Sequence, residues 1–271
     1  MVSHSPEWLA FVRPPAGDLS SCELVHQDRI ELRLVDAQNQ HAAYVKKLEA
    51  LGVEVRQLDP LPDHPDAAFV EDCAIVLAEA AIIPIPGASS RRGEVQSVAR
   101  ALGEHRPLLE MTAPATLDGG DVLAVDETLY VGWSSRTNHA GLKSLAHLVL
   151  ELGLRVKAIE VGGALHLKTA ASDLGEGRLL VNPRRLELER VTDLELIAVP
   201  VSEPQGANVL RIGTDVILPD SAPRTADLLS DLGLTVHPLC LTTFEAMEAG
   251  PTCLSVLVRQ YPAGVDCGNH N

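Results

Sequence analysis

The sequence is short of aromatic rings. Phe, Trp and Tyr make up only 3% of its 271 residues, so the core has to rest on Leu, Val, Ile and Ala. Cysteine is scarce too, at five (Cys22, Cys73, Cys240, Cys253 and Cys267), widely spaced and without a CxxC pair. An odd count with that spacing excludes a disulfide framework and a thiolate metal cluster. No HxxxH or paired Cys/His spacing occurs either, so no metal is expected. Apolar runs fall short of the roughly 20 residues that span a bilayer. The first eight residues contain Pro6 and Glu7 and lack the basic and apolar regions of a signal peptide. A reducing cytoplasm is the expected compartment. Positive charge is also under-represented, with 22 Lys and Arg against 37 Asp and Glu, giving a net charge of −15. A nucleic acid or an anionic membrane needs clustered cations, so neither is an expected partner. A small positively charged substrate fits better.

What the sequence does have is a repeated order of elements. Apolar alternation predicts paired short strands within 69–84, a helix over 90–103 and a strand over 106–111. The same order recurs as strands within 120–131, helix 137–153 and strand 154–160. It returns with strands 165–171 and 178–181, a short helical stretch near 183–189 and strand 196–201. A further copy has strands 208–212 and 215–218, helix 222–232 and strand 234–238. A first copy takes strand 9–13, helix 35–51 and strand 53–58, and the strand 253–259 completes the pairing. Leu142, Leu145, Leu148, Val149 and Leu152 share one helical face ahead of Gly153. A repeat of about 40–45 residues favours a closed ring, each unit burying its sheet against neighbours. A doubly wound α/β sheet also alternates strands and helices and is the competing architecture. No low-complexity linker divides the chain, so residues 1–271 are expected to form a single domain.

Three distant segments carry chemistry. Asp66, Glu71 and Asp72 gather three carboxylates within seven residues. Turn and cap roles suit Asp66, but Glu71-Asp72 follow Phe69-Val70 in a run read as strand, which would put them on opposite faces. His166 interrupts an apolar run, where a histidine is more often structural. Its position matches Asp72 and Asp121 in neighbouring units, and such positions converge on the axis of a ring. Cys253 follows Gly250-Pro251-Thr252 at the start of an apolar strand. A buried core thiol is the usual explanation for such a cysteine, and Cys22, Cys73 and Cys240 are placed in that class. Asp118-Gly119-Gly120-Asp121 reads first as a turn whose glycines admit close backbone approach. Arg91 at a helix start opposes the helix dipole and needs another partner. Arg136 stands at the equivalent place one unit later, and two guanidinium groups suit a carboxylate. A cysteine with a distant histidine and acidic partners is the outline of covalent thiol catalysis.

Six ordered motifs then resemble one family. They are Pro65-Asp66-Ala67-Ala68-Phe69-Val70-Glu71-Asp72, Pro86-Gly87-Ala88-Ser89-Ser90-Arg91-Arg92, Thr116-Leu117-Asp118-Gly119-Gly120-Asp121-Val122-Leu123, Ser134-Ser135-Arg136-Thr137-Asn138, Leu165-His166-Leu167-Lys168-Thr169 and Thr252-Cys253-Leu254-Ser255-Val256-Leu257. Together they resemble dimethylarginine dimethylaminohydrolase, of the guanidino-group-modifying or pentein superfamily, over nearly the whole chain. The resemblance implies a five-fold pseudosymmetric α/β propeller of ββαβ units. It implies Cys253 as nucleophile, His166 as general acid and base, and Asp118 as the acid that orients the histidine. By the same likeness Asp66, Glu71 and Asp72 grip the cationic substrate, Arg91 and Arg136 bind its carboxylate, and Met247 is the aliphatic residue before the cysteine loop. Neither metal nor organic cofactor is implied, and a homodimer is left open.

Two departures from the pattern concern the substrate. Glu248 replaces the aspartate usual beside Met247. The lid reads Gly17-Asp18-Leu19-Ser20-Ser21-Cys22-Glu23-Leu24, so either Leu24 or Glu23 takes the position of the family's covering leucine. The expected activity is hydrolysis of a methylated arginine to citrulline and an alkylamine. Its alternatives are a hydrolase or amidinotransferase for another guanidine, and a non-catalytic propeller used for binding.

Overall fold

Short apolar strands cannot stand alone, and here they assemble three at a time. The computed structural model describes residues 7–189 and 191–260; Cys267 lies outside them. The first blade holds β1 (Trp8–Val12) and β2 (Glu54–Gln57) on either side of helix α1 (Leu34–Ala50) in sequence. The second holds β3 (Ile75–Val76), β4 (Ala81–Ile83), α2 (Val95–Leu102) and β5 (Leu108–Glu110). The third holds β6 (Val122–Val125), β7 (Thr128–Trp133), α3 (His139–Leu150) and β8 (Arg155–Glu160). The fourth has β9 (Ala171–Gly175), β10 (Arg178–Val181) and β11 (Glu195–Ala198), and the fifth β12 (Leu210–Ile212), β13 (Asp215–Pro219), α4 (Pro223–Asp231) and β14 (Thr235–Leu239). Helix α5 (Thr242–Glu245) and strand β15 (Val256–Arg259) follow.

Every sheet repeats one pattern. The middle strand pairs antiparallel with the strand before it and parallel with the strand after the crossover. In the first blade the antiparallel partner is β15, from the far end of the described chain, with Leu9 opposite Val258 and Phe11 opposite Val256. The ring therefore closes through its own last strand, as expected from the repeat, and the doubly wound sheet is ruled out.

Five apolar clusters fill the spaces between successive blades. Leu, Val, Ile and Ala dominate them, as the aromatic scarcity requires. Helix α3 shows the local logic. Asn138 caps its start by accepting from Gly141 N at 2.7 Å. Leu145 and Val149 are fully buried, and Gly153 takes φ +73° to turn the chain into β8.

Three expectations need correction. The stretch 183–189 forms turns and an isolated bridge rather than a helix; Pro183 followed by so few residues cannot sustain nucleation. Residues 70–73, 120–121, 167–169 and 253–254 lie in 3-10 turns rather than strand, so Glu71, Asp72, Asp121, His166 and Cys253 leave the strand register. Cys240 is exposed, not a core thiol.

If ring closure through β1 carries the stability, Leu9→Ala should cost about 2–5 kcal/mol, the range for a buried leucine, in equilibrium urea unfolding. A cost under about 1 kcal/mol would mean that the first blade is not locked by its flanking strands.

Candidate active site

The chemistry-bearing residues occupy one recurring local structure. A 3-10 turn precedes the first strand of each blade: Val70–Cys73, Gly119–Asp121, Leu167–Thr169, Pro204–Ala207 and Pro251–Leu254. These turns pack against one another around the axis. Each one stops the chain for a single tight turn before the strand begins, so its polar side chains face inward while the strand stays apolar. Gly120 shows how close the turns come. A methyl group there would overlap Asp72 Oδ1 and reach within 2.9 Å of the His166 ring.

His166, at the start of its turn, is 2% exposed and enclosed by acids. Its Nε2 lies 2.9 Å from Asp118 Oδ2, and its Nδ1 lies 3.6 Å from Asp72 Oδ1. Asp118 is held by Gly87 N–H, which donates to Oδ1 at 2.8 Å. Asp72 accepts from Gly120 N–H at 3.1 Å and from Arg91 Nη1. Burial opposes a charge on His166, but Asp72, the bond to Asp118 and the nearby Asp121 outweigh it and push its pKa up to about 9. Burial likewise opposes the charge on Asp72, yet His166 and Arg91 hold its carboxyl below the usual range. The two shifts describe one coupled pair in which both partners stay ionised.

Cys253 sits in the last of the turns, 6% exposed. Gly250 N–H points at its sulfur from 3.5 Å and Asn208 Nδ2 from 3.7 Å. Asn208 is fixed in turn by accepting from Thr252 N–H at 3.1 Å. Burial, followed by the charges of Glu71 and Asp72, pushes the thiol up to about 12. The unliganded sulfur is therefore a thiol at neutral pH, and a cation placed beside it would favour the thiolate.

Cys253, His166, Asp66, Asp72, Arg91, Arg136 and Met247 line one small cavity, and Asp118 stands directly behind the histidine. Most of the residues expected at the site thus converge. Two do not. Glu71 points to the other side of the axis, where it pairs with Lys168 at 2.7 Å and accepts from Thr252 Oγ1 at 2.9 Å. The 3-10 turn sends it away from the direction taken by Asp72. Leu24 packs against the core cluster of the first blade, and Glu23 enters the cavity in its place. Arg91 borders the cavity with its donors already engaged. Glu94 carboxylate oxygens lie 2.7 and 3.2 Å away, Asp72 takes Nη1, and the carbonyls of Asp66 and Phe69 take Nη2. This satisfies the partner its position before α2 called for, and leaves one Nη1 N–H, beside Asp72, for anything that enters the cavity.

Asn208 and Glu94 were not anticipated from the sequence. Glu94 was legible as the residue three after Arg91, a spacing that eclipses side chains in a 3-10 turn. Asn208 carried no signal, since a lone asparagine before a strand reads as turn chemistry. The lid is tied down from below: Glu248 Oε1 accepts from the N–H groups of Val25, His26 and Gln27 at 3.0, 2.5 and 2.7 Å. Asp66 accepts from Glu23 N–H at 3.0 Å, and burial pushes the Asp66 carboxyl up to about 6. Asp72, Asp118 and His166 bring one ligand atom each within 4.8 Å of one another. Their oxygens are already engaged by Arg91, Gly87 and Gly120, so a metal would have to displace internal bonds.

With this geometry in place, comparison with known proteins is direct. A family profile described as N,N dimethylarginine dimethylhydrolase, eukaryotic, matches residues 25–187. The chain is 38% identical over 257 residues to a dimethylarginine dimethylaminohydrolase of Streptomyces coelicolor, covering 94% of this chain and 98% of that protein. This chain belongs to the dimethylarginine dimethylaminohydrolase family. The Pseudomonas aeruginosa enzyme of that name is 31% identical over 222 residues, 81% of this chain and 87% of its own. A solved structure of a Pseudomonas aeruginosa enzyme of this family, a cysteine-to-serine mutant complexed with citrulline, is 29% identical and superposes with a TM-score of 0.85 over 92% of this chain and 98% of that chain. A cyanobacterial arginine dihydrolase, 17% identical, shares the fold with a TM-score of 0.82 over 93% of this chain and 98% of the domain. The five-fold α/β propeller is thus the family fold.

Two outcomes follow for the charged pair and the thiol. The raised His166 pKa stabilises the folded state fully below its ordinary 6.5, and that contribution is lost as pH rises through about 9. Urea unfolding of the wild type should therefore weaken across that window more steeply than that of His166→Asn; parallel slopes would contradict the carboxylate cage. Thiolate absorbance, taken as a difference against Cys253→Ser, should be absent at neutral pH without ligand and rise when a guanidinium compound binds.

Proposed function

We propose that this protein hydrolyses a methylated arginine to citrulline and methylamine or dimethylamine, with Cys253 as nucleophile and His166 as general acid and base. The observation that carries the reading is the shared cavity, in which sulfur, imidazole and the carboxylates of Asp66 and Asp72 surround one small space. Their negative charge complements a guanidinium ion, and the family's named members act on dimethylarginine.

The reaction would start with the guanidinium cation settling beside Cys253, where its charge offsets the burial and the carboxylates that keep the thiol neutral. The thiol then releases its proton to solvent and the thiolate adds to the central guanidinium carbon. His166, protonated in its cage of acids, gives its proton to the nitrogen that leaves as alkylamine. The C–N bond breaks and an S-alkylthiouronium remains. Neutral His166 then takes a proton from an incoming water as its oxygen bonds to the same carbon. Collapse breaks the C–S bond, the hydroxyl proton passes to the departing sulfur, and citrulline leaves with Cys253 again a thiol and His166 again protonated. A guanidinium is a poor electrophile because its charge is delocalised, so positioning has to supply much of the rate. Asp118 would keep the imidazole oriented through both proton transfers.

We read the ring as one catalytic unit that works without metal or organic cofactor in the reducing cytoplasm. Among the described residues no helix is long and apolar enough to cross a membrane, and the net charge of −15 suits a cationic substrate. The reading is tested by following citrulline release from monomethyl- and dimethylarginine against arginine and agmatine. Methylated arginines should be preferred. His166→Ala should lower kcat by about 10²–10⁴-fold, and Cys253→Ser should leave no measurable turnover while melting near the wild-type temperature. Wild-type levels of citrulline from either variant would refute the assignment.

A further inference from the structure

The lid places a negative charge inside the cavity. Glu23 Oε2 lies 3.4 Å from Arg136 Nη2, and Glu23 Oε1 accepts from Ser90 Oγ at 2.5 Å. The Ser90 bond, opposed in part by burial and joined by the field of Arg136, holds the Glu23 carboxyl below the usual carboxylate range. Its backbone is equally fixed, since its N–H donates to Asp66 and the next three N–H groups after Leu24 are clamped by Glu248. Free space left among these side chains is about 10 Å³, roughly the room for one water. No amino acid fits until Glu23 moves.

Arg136 is the cation of the cavity with most of its donors open. Arg91 keeps only one Nη1 N–H beyond its bonds to Glu94, Asp72 and the carbonyls of Asp66 and Phe69. Arg136 is buried, its Nε has no partner, and its ion-pair contact in the cavity is Glu23. With room for about one water, a substrate carboxylate can reach Arg136 only if Glu23 moves aside. We infer that Glu23 is a displaceable internal occupant of the carboxylate subsite, competing for Arg136 with the carboxylate of an incoming guanidino acid.

The exchange has a chemical consequence that depends on the tail of the substrate. A guanidine carrying a carboxylate replaces the bond that it breaks, so opening the lid leaves Arg136 paired. A decarboxylated guanidine offers only a cation at that end. It can pair with Glu23 but leaves Arg136 with nothing, which costs more in a buried site than at the surface. Arg136 thus selects among ligands by charge at the end remote from the reacting carbon, and Glu23 lowers the affinity that a carboxylate gains there. Ser90 serves as the second anchor, holding the carboxylate when Arg136 is released.

The inference rests on the methylarginine reading of the same cavity, and the test separates the two. Citrulline and agmatine are titrated by calorimetry into Cys253→Ser and into Cys253→Ser carrying Glu23→Gln, which keeps size and the Ser90 contact while removing charge. Citrulline should bind on the order of three- to ten-fold more tightly to the second protein, in line with one partly exposed charged pair. Agmatine should bind it no better, or more weakly. Adding Arg136→Gln to both backgrounds should abolish the gain for citrulline, an outcome that lid loosening alone would not produce. KM for dimethylarginine should fall correspondingly in Glu23→Gln with the cysteine intact. Equal citrulline affinity in the two proteins, or an equal gain for agmatine, overturns the exchange and leaves the hydrolase reading standing. Citrulline that binds neither protein, together with no citrulline released by the wild type, sinks both.

Discussion

The buried carboxylate of Asp72 is the constraint around which the site is arranged. A fully enclosed anion is tolerable only with charge and hydrogen bonds brought to it. Arg91 supplies the charge, Gly120 N–H a hydrogen bond, and His166 the second cation. Arg91 in turn needs Glu94, and His166 needs Asp118. The resulting chain of alternating charges runs from the start of α2 to the axis and ends with negative charge in excess. Removing any member would leave its neighbours charged and dry, so the network fixes the imidazole's position more firmly than apolar packing could. It also explains why a cation is the natural guest.

The sequence revealed the ring because strand pairs and helices announce themselves by period. Apolar residues two apart and three or four apart recur in the same order, and Gly153 ends its helix where expected. It did not reveal the 3-10 turns at the axis. A run such as Phe69-Val70-Glu71-Asp72 is apolar then acidic, and nothing in composition tells a short turn from the start of a strand. That single ambiguity accounts for Glu71: strand alternation already separated it from Asp72, but could not say which of the two would face Cys253. The missing helix after β10 has a different cause, a segment too short to bury a face of its own.

The lid illustrates a limit of motif spacing. Two adjacent residues, Glu23 and Leu24, competed for one position, and the outcome turns on Asp66 gripping the backbone N–H of Glu23. A side-chain carboxylate holding a distant main-chain group leaves no trace in local sequence. Asp72, Asp118, His166 and Cys253 come together because each lies in or just before one of the structurally equivalent turns at the axis. The lid lies outside those turns, where spacing alone leaves two neighbouring residues open.

The closing of the first blade by β15 ties the sulfur to the integrity of the ring. Cys253 lies only three residues ahead of that strand, while His166 and its acids all come earlier in the chain. The thiol and the rung that completes the first sheet therefore share one short stretch of backbone, and whatever loosens that rung also loosens the grip on the sulfur.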